Sequence, residues 1–385
     1  MPLELIEAIL DYLDVPNLRR TLRTARFLRY PSEQRLYHRV TFPTYSTSDP
    51  GNVQARFLDT ILKNDRLAQY VIKLVLGAIT PREGGNAKVN RILGQAMNKM
   101  INLKQLDIYG NPYIAHAHLD SVPFSLTHLV ISTQVMSDLE PVPGLLPILQ
   151  AHPDLEELAL DCSDFPDDLV STLKEGHKGL VSEESEPILC PNLKRFDGYD
   201  EGLRLFLPMR KIESSTTMGP GLYYTDDDGN IDLVGWLNPL LIQSYQHLRV
   251  LEIWPKREGN IVVCCLPTIA PYLTSLKHLQ IVDDIRALVN QSDSDHILSS
   301  LARIPTLESI TLSSLGVDSG IAMMDIRDAV RHVCSALPDI PQVFVGVEEG
   351  SKLLFYRYVR GEGIQTDLVG QDVACRPYTR WLQEG

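Results

Sequence analysis

The chain has 385 residues, and its 44% hydrophobic and 22% charged residues are ordinary for a folded soluble protein. Its net charge of −13 argues against nucleic-acid binding over most of the length, so no nucleic-acid partner is expected. No apolar run approaches the ~18 residues of a membrane span, and Glu4, Glu7 and Asp11 do not suit a signal peptide. We therefore expect no membrane partner.

The cysteines indicate a reducing compartment. The chain has six of them, without a C-x-x-C pair and in mostly apolar surroundings. This usage is typical of buried, reduced thiols in an intracellular protein. We predict a cytoplasmic and/or nuclear location.

Residues 1–41 predict a module of three short helices. Asp14 is placed to cap the second helix, which carries Leu18. Ser32 is placed to cap the third, whose apolar side extends to Val40. The first helix has apolar residues at i, i+1, i+4, i+5 and i+8, namely Leu5, Ile6, Ile9, Leu10 and Leu13. A core of this size is marginal alone and usually rests on a larger body.

The charge of this module differs from that of the rest of the chain. Residues 1–40 hold seven arginines and five acidic residues, a net charge of +2, which leaves −15 on the remainder. The module is therefore expected to favour an acidic partner, and the remainder basic or neutral targets. Arg19, Arg20, Arg23 and Arg26 are the expected contributors; the alternative, that they only form a solvated helix face, stays open.

Residues 42–70 read as a connector followed by one helix. The connector begins with a turn-rich stretch. The predicted helix spans Val53 to Asn64, and the first predicted strand follows at Leu74–Leu76.

A six-residue pattern, L-x-x-L-x-I, then recurs along residues 71–346. In a strand the last two apolar positions share one face, and the first enters from the preceding turn. Such a unit cannot bury its apolar side alone and must stack on a neighbour. Clear copies begin at Leu103, Leu126, Leu155, Leu248, Leu276 and Leu307, and weaker ones at Val71, Leu193 and Ile340.

Helix-like runs separate the copies, and the wide gap after residue 193 predicts a degenerate copy near Met209–Thr217. The pattern therefore predicts an α/β leucine-rich-repeat solenoid, a horseshoe with a parallel sheet on its concave side. Residues 347–385 are expected to form a terminal cap and tail, with a strand at Lys352–Val359.

The residues between the two strand-core positions are expected to face solvent and to bind a target protein. They would form one row across the parallel strands. The row mixes acidic, amide, hydroxyl and small groups, which suits a protein ligand better than a buried small molecule. Its members are Asp107, Val130, Ala159, Glu252, Gln280 and Thr311.

Motifs for catalysis or cofactor binding are weak. Residues 224–235 lack the acids that a calcium loop needs at its ends. His116 and His118 have no visible fourth metal ligand, and Cys264–Cys265 is typical of small buried residues. We expect no catalytic residue, no metal and no cofactor, and predict that the protein is not an enzyme.

The N-terminal module resembles an F-box. The resemblance rests on Pro2-Leu3-Glu4-Leu5-Ile6-Glu7-Ala8-Ile9-Leu10-Asp11-Tyr12-Leu13-Asp14, on Leu18 and on Gln34-Arg35-Leu36-Tyr37-His38-Arg39-Val40. The last segment is similar to F-box proteins of fungi, and the following repeats make the resemblance more specific.

The resemblance implies a substrate receptor of a cullin-type (SCF) ubiquitin ligase, in which the repeats hold an unknown target protein. A Skp-type adaptor would bind Pro2, Leu3, Leu5, Ile6, Ile9, Leu10, Leu13 and Leu18. The alternative is a leucine-rich-repeat scaffold without a ligase role. In that case the first helix would cover the first repeat as an end cap.

Overall fold

The computed structural model of the chain describes residues 3–24, 26–42, 50–77, 92–109, 119–132, 145–161, 165–179, 189–198, 200–208, 210–218, 239–254, 266–282, 291–314, 323–349, 352–361 and 363–369. The chain divides into two compact units, Met1–Leu193 and Lys194–Gly385. Pro2, residues 224–235, His116, His118 and Cys264–Cys265 lie outside the described residues.

The first unit contains helices, of which the first five are labelled α1 to α5, and a sheet of five strands among its described residues. The helices are α1 (Leu3–Asp11), α2 (Val15–Thr21), α3 (Arg26–His38), α4 (Pro50–Lys63) and α5 (Asp65–Tyr70), with Leu145–Ala151 and Asp167–Gly179 further along. The strands are β1 (Arg39–Thr41), β2 (Lys73–Leu76), β3 (Gln105–Tyr109), β4 (His128–Ser132) and β5 (Glu157–Asp161). Each strand pairs in parallel with the next one in the chain.

The second unit continues the same strand-and-helix pattern. Its helices are Asp200–Phe206, Pro239–Tyr245, Gln291–Leu301 and Met323–Ala336. Its strands are β6 (Arg195–Gly198), β7 (Ser214–Met218), β8 (Val250–Trp254), β9 (His278–Val282), β10 (Ser309–Ser314), β11 (Gln342–Glu349), β12 (Lys352–Val359) and β13 (Gly363–Val369). Strands β6 to β11 are parallel, whereas β12 and β13 pair antiparallel. The predicted strands at the degenerate copy and at residues 352–359 are both confirmed.

The apolar positions of the repeated pattern form the core of both units. Leu103, Leu106 and Ile108 are fully buried, and the copy that starts at Leu276 is no more than 3% exposed at its three apolar positions. The parallel α/β repeat architecture predicted from the pattern is therefore confirmed. Each copy buries one side of its strand against the turn and helix of its own repeat and of its neighbours.

In seven of the described repeats, one backbone carbonyl receives two hydrogen bonds from the next repeat. The carbonyl of Lys104 accepts from the N–H groups of Thr127 and His128, at 2.9 and 3.1 Å. In the second unit the carbonyl of Lys277 accepts from Glu308 and Ser309, at 2.8 and 2.9 Å. The carbonyls of Ile72, Thr127, Lys194, Glu213 and Arg249 do the same. This paired contact sets the register in which each strand begins.

The third helix and the strand after it differ from the prediction. The expected cap residue Ser32 is buried inside α3, which begins at Arg26 and contains Pro31. Val40 lies in β1 and not in a helix. The chain adopts an extended conformation here because the His38 carbonyl accepts a hydrogen bond from Ile72 N at 3.0 Å. This bond aligns β1 with β2. The predicted cap of α2 is confirmed, since the Asp14 carboxylate accepts from Asn17 N at 2.9 Å.

A buried histidine in the first unit is expected to make its stability depend on pH. His152 is fully buried, its Nδ1 accepts from Leu126 N at 3.4 Å, and its ring stacks on Phe124. Burial lowers the pKa of His152, and a hydrogen bond with the backbone of Leu119 raises it by a smaller amount. An unfolded chain therefore binds the proton at a higher pH than the folded chain does, and acidification favours unfolding.

We expect the free energy of unfolding to fall as the pH drops below the ordinary histidine pKa of about 6.5, and to fall less in His152→Gln. Urea denaturation of both proteins at pH 7.5 and 5.5 measures this difference. Burial also lowers the pKa values of His38 and His278, so part of the pH dependence should remain in the variant. An identical pH effect in both proteins would contradict the role of His152.

Candidate functional site

Helix α1 has two apolar faces with different surroundings. Ile6 and Leu10 are 6% and 2% exposed and form a small core with Leu18. Leu5 and Ile9 are 54% and 51% exposed on the other face. Their large exposed apolar area is available to a partner.

The eight residues predicted to bind an adaptor therefore lie in different environments. Ile6, Leu10 and Leu18 are core residues. They would support adaptor binding indirectly, by holding α1 in position. Leu13 packs partly against the same core. Leu3 begins α1, and Pro2 lies outside the described residues. Among those of the eight residues whose exposure the structure describes, Leu5 and Ile9 are the two exposed ones.

Further exposed apolar residues surround the N-terminal helices. Tyr12 and Val15 are 92% and 49% exposed, and Phe27 and Tyr30 on α3 are 64% and 58% exposed. These residues were not predictable as surface residues, because a short amphipathic helix shows which residues can be apolar but not which neighbour covers them. The aromatic character of Tyr12, Phe27 and Tyr30 on a small helical body was the available signal.

An ion pair with a buried acidic residue attaches α3 to α5. Glu33 is 8% exposed, and its carboxylate pairs with Arg66 and, at 3.1 Å, with Arg29. Burial raises the pKa of Glu33, but the hydrogen bonds from Arg66 and Arg29 outweigh it and hold the pKa below its ordinary value. The Arg66 guanidinium also lies 4.6 Å from the centre of the Tyr30 ring. The N-terminal helices are thereby fastened to the first repeat.

The predicted row of target-binding residues is brought together within each unit, but it is not uniformly exposed to solvent. In the first unit Asp107 is in register with Val130, and Val130 with Ala159. In the second unit Glu252 is in register with Gln280, and Gln280 with Thr311.

Four of the six positions in this row are buried, so the expectation that they face solvent is wrong. Asp107, Glu252, Gln280 and Thr311 are 8%, 1%, 3% and 2% exposed. In-register side chains on neighbouring strands lie ~4.8 Å apart and cover one another. They also form hydrogen bonds along the row, as Thr216 Oγ1 does to Glu252 Oε2 at 3.2 Å.

The more accessible part of the described sheet face lies in the first unit. Val130 and Ala159 are half-buried, as are His128 and Glu157 two positions before them. The His128 Nε2 atom lies 3.0 Å from Glu157 Oε1, and Lys73 pairs with Asp107 at 3.1 Å. This second row, His128 and Glu157, was not predicted, although the same two-residue period places it on the same face.

Metal binding and membrane spanning find no support in the described part of the chain. Within it, no group of three or more His, Cys, Asp and Glu side chains is arranged to hold a metal ion. No helix among the described residues combines the length and the apolar character needed to cross a membrane.

The chain matches no protein-family model and no curated protein. It is similar to a crystal structure of the leucine-rich repeat-containing protein LegL7 from Legionella pneumophila, with 14% identity and a TM-score of 0.43. The alignment covers 77% of this chain and 98% of that one. The repeat architecture described here rests on the strand register of the chain itself.

The buried part of the row should tolerate a new charge poorly. We expect Glu252→Arg to lower the free energy of unfolding by about 3 kcal/mol or more, because it forces a bulky opposite charge into a filled position. Val130→Arg, at a half-buried position of the first unit, should cost far less. Urea denaturation measures both variants. Equal stability losses would contradict the difference in burial between the two positions.

Proposed function

We propose that the protein is a substrate receptor of a cullin-type ubiquitin ligase, with α1 docking a Skp-type adaptor and the repeats holding a target protein. The observation that supports this most is the outward apolar face of α1, with Leu5 and Ile9 exposed beside the buried Ile6 and Leu10. A few apolar anchors of this kind can supply most of the binding energy of an interface. The fungal type of F-box and a cytoplasmic or nuclear location belong to the same proposal.

The alternative is a repeat scaffold in which the N-terminal helices act only as an end cap. The Glu33–Arg66 pair and the pairing of β1 with β2 favour a capping role for α3. They do not account for α1, because an end cap directs its apolar side chains inward. Half of the side-chain surface of Leu5 and Ile9 faces solvent instead.

The target surface is proposed to be the sheet face of β3 to β5. Val130 and Ala159 supply small apolar groups there, Lys73 supplies a positive charge, and Asp107 and Glu157 supply negative charges. A mixed and shallow surface suits a protein or peptide better than an enclosed small molecule. This proposal moves the target contact from the buried row of the second unit to the more accessible face of the first.

We expect Leu5→Ala with Ile9→Ala to abolish co-purification of a Skp-type adaptor while the fold is kept, because both side chains are exposed in the free protein. Truncation of such an anchor costs ~2 kcal/mol or more in binding. The matched control is Val53→Ala with Ile101→Ala, which removes aliphatic side chains that are 50% and 48% exposed elsewhere.

Adaptor binding is measured with purified adaptor and full-length chain by calorimetry, with urea denaturation as the test of folding. Undiminished adaptor binding in the Leu5 and Ile9 variant would overturn the receptor proposal and leave the scaffold. Equal losses in the control would show that exposed apolar area alone, and not α1, determines binding.

We expect Val130→Arg with Ala159→Arg to abolish target capture and to leave adaptor binding unchanged, since the changes lie on β4 and β5 and not on α1. The measurement compares proteins captured by the wild type and the variant from the same extract, with purified adaptor as the internal reference. Loss of both activities would indicate an unfolded first unit. Retention of both would place the target site away from β3–β5.

A further inference from the structure

The turn between α2 and α3 carries a concentrated positive charge. Residues 15–32 contain five arginines and no acidic residue, in a chain whose net charge is −13. The five are Arg19, Arg20, Arg23, Arg26 and Arg29, and all are exposed. We call these five residues the arginine patch.

Little in the described part of the chain neutralises the arginine patch. Arg29 pairs with Glu33 at 3.1 Å, whereas Arg19, Arg20, Arg23 and Arg26 form no ion pair with any described residue. The neighbouring carboxylates have other partners. Asp11 pairs with Arg35, and Asp14 caps α2.

The backbone of α3 adds to the same potential. The N-terminal end of a helix carries a partial positive charge, which acidic residues in the first turn usually offset. The first turn of α3 contains no acidic residue and begins with Arg26 instead. Like charges placed together in this way weaken the fold slightly, and an anionic partner would relieve the repulsion.

The patch also lies beside exposed apolar side chains. Phe27 and Tyr30 occupy the first turns of α3, and Val15 begins α2. Arginine, tyrosine and other aromatic residues are the side chains that dominate protein–protein binding energy. Nucleic-acid bases can also stack on aromatic rings, so the choice of a protein partner rests on the net charge of −13, which disfavours nucleic-acid binding.

We infer that the arginine patch is a docking surface for a short acidic segment of a partner protein. The guanidinium groups pair with Asp and Glu carboxylates, in part through two parallel hydrogen bonds each, and Phe27 and Tyr30 receive apolar side chains of the same segment. The surface involves α2 and α3, so it is separate from Leu5 and Ile9 and does not depend on the ligase proposal.

The test uses the full-length chain and poly-L-glutamate as the carboxylate probe, with binding followed by fluorescence anisotropy. The patch variant is Arg19→Gln, Arg20→Gln, Arg23→Gln and Arg26→Gln. The control variant makes the same change in net charge at exposed positions elsewhere, with Arg56→Gln, Lys63→Gln, Arg303→Gln and Arg360→Gln. Circular dichroism checks that both variants fold.

We expect the patch variant to lose about tenfold or more in affinity for poly-L-glutamate and the control to lose less than about twofold, at ~0.05 M salt where screening is weak. A patch variant with four lysines should keep part of the affinity, because lysine retains the charge but not the planar fork. Similar losses in patch and control variants would overturn the inference.

Tighter binding of a single-stranded oligonucleotide than of poly-L-glutamate to the wild type would also overturn it, in favour of a nucleic-acid surface. The results with poly-L-glutamate and with the oligonucleotide do not test adaptor binding. Adaptor binding is tested separately by the variant at Leu5 and Ile9, whose exposed side chains the arginine changes leave intact.

Discussion

The structure depends on the pairs of N–H groups that most of the described repeats donate to one carbonyl of the repeat before them. The contact between Lys104 and the Thr127–His128 pair recurs along the described repeats of both units. It places residue three of each copy beside residue three of the next, as the pairing of Gln105 with His128 illustrates. A slip of one residue would turn every core leucine toward the opposite face of the sheet. The backbone thus enforces the register, and the leucines make any other register costly.

The repeats were predictable because their signal is local and periodic. A period of two distinguishes the buried positions Leu106 and Ile108 from Gln105 and Asp107, and repetition of the pattern removes the ambiguity of a single short apolar run. The strand near residue 214 was found from spacing alone, although Ser214, Ser215 and Thr216 carry no leucine signal. Hydrogen bonding to the neighbours holds that strand, with Ser215 Oγ donating to the Phe196 carbonyl at 2.9 Å.

Depth of burial was not predictable from the same pattern. The alternation shows that Glu252 and Gln280 lie on the face opposite the core, but it carries no information on what covers that face. A hydrogen bond along the row, such as the one from Thr216 to Glu252, lowers the cost of burying a polar side chain. The start of α3 was missed for a related reason. Pro31 normally ends a helix, yet the packing of α3 on α5 around Glu33 and Arg66 outweighs that local preference.

The direct passage from α3 into β1 has a mechanical consequence. Helix α3 ends at His38 and β1 begins at Arg39, so no spacer separates the helical module from the sheet, and the Glu33–Arg66 pair braces the junction. A flexible tether would let two bound molecules sample a wide range of separations, at the expense of their effective concentration. Here a molecule held on α1 and one held on β3–β5 would keep a nearly constant separation. The first unit would therefore fix the distance between the two proposed binding surfaces.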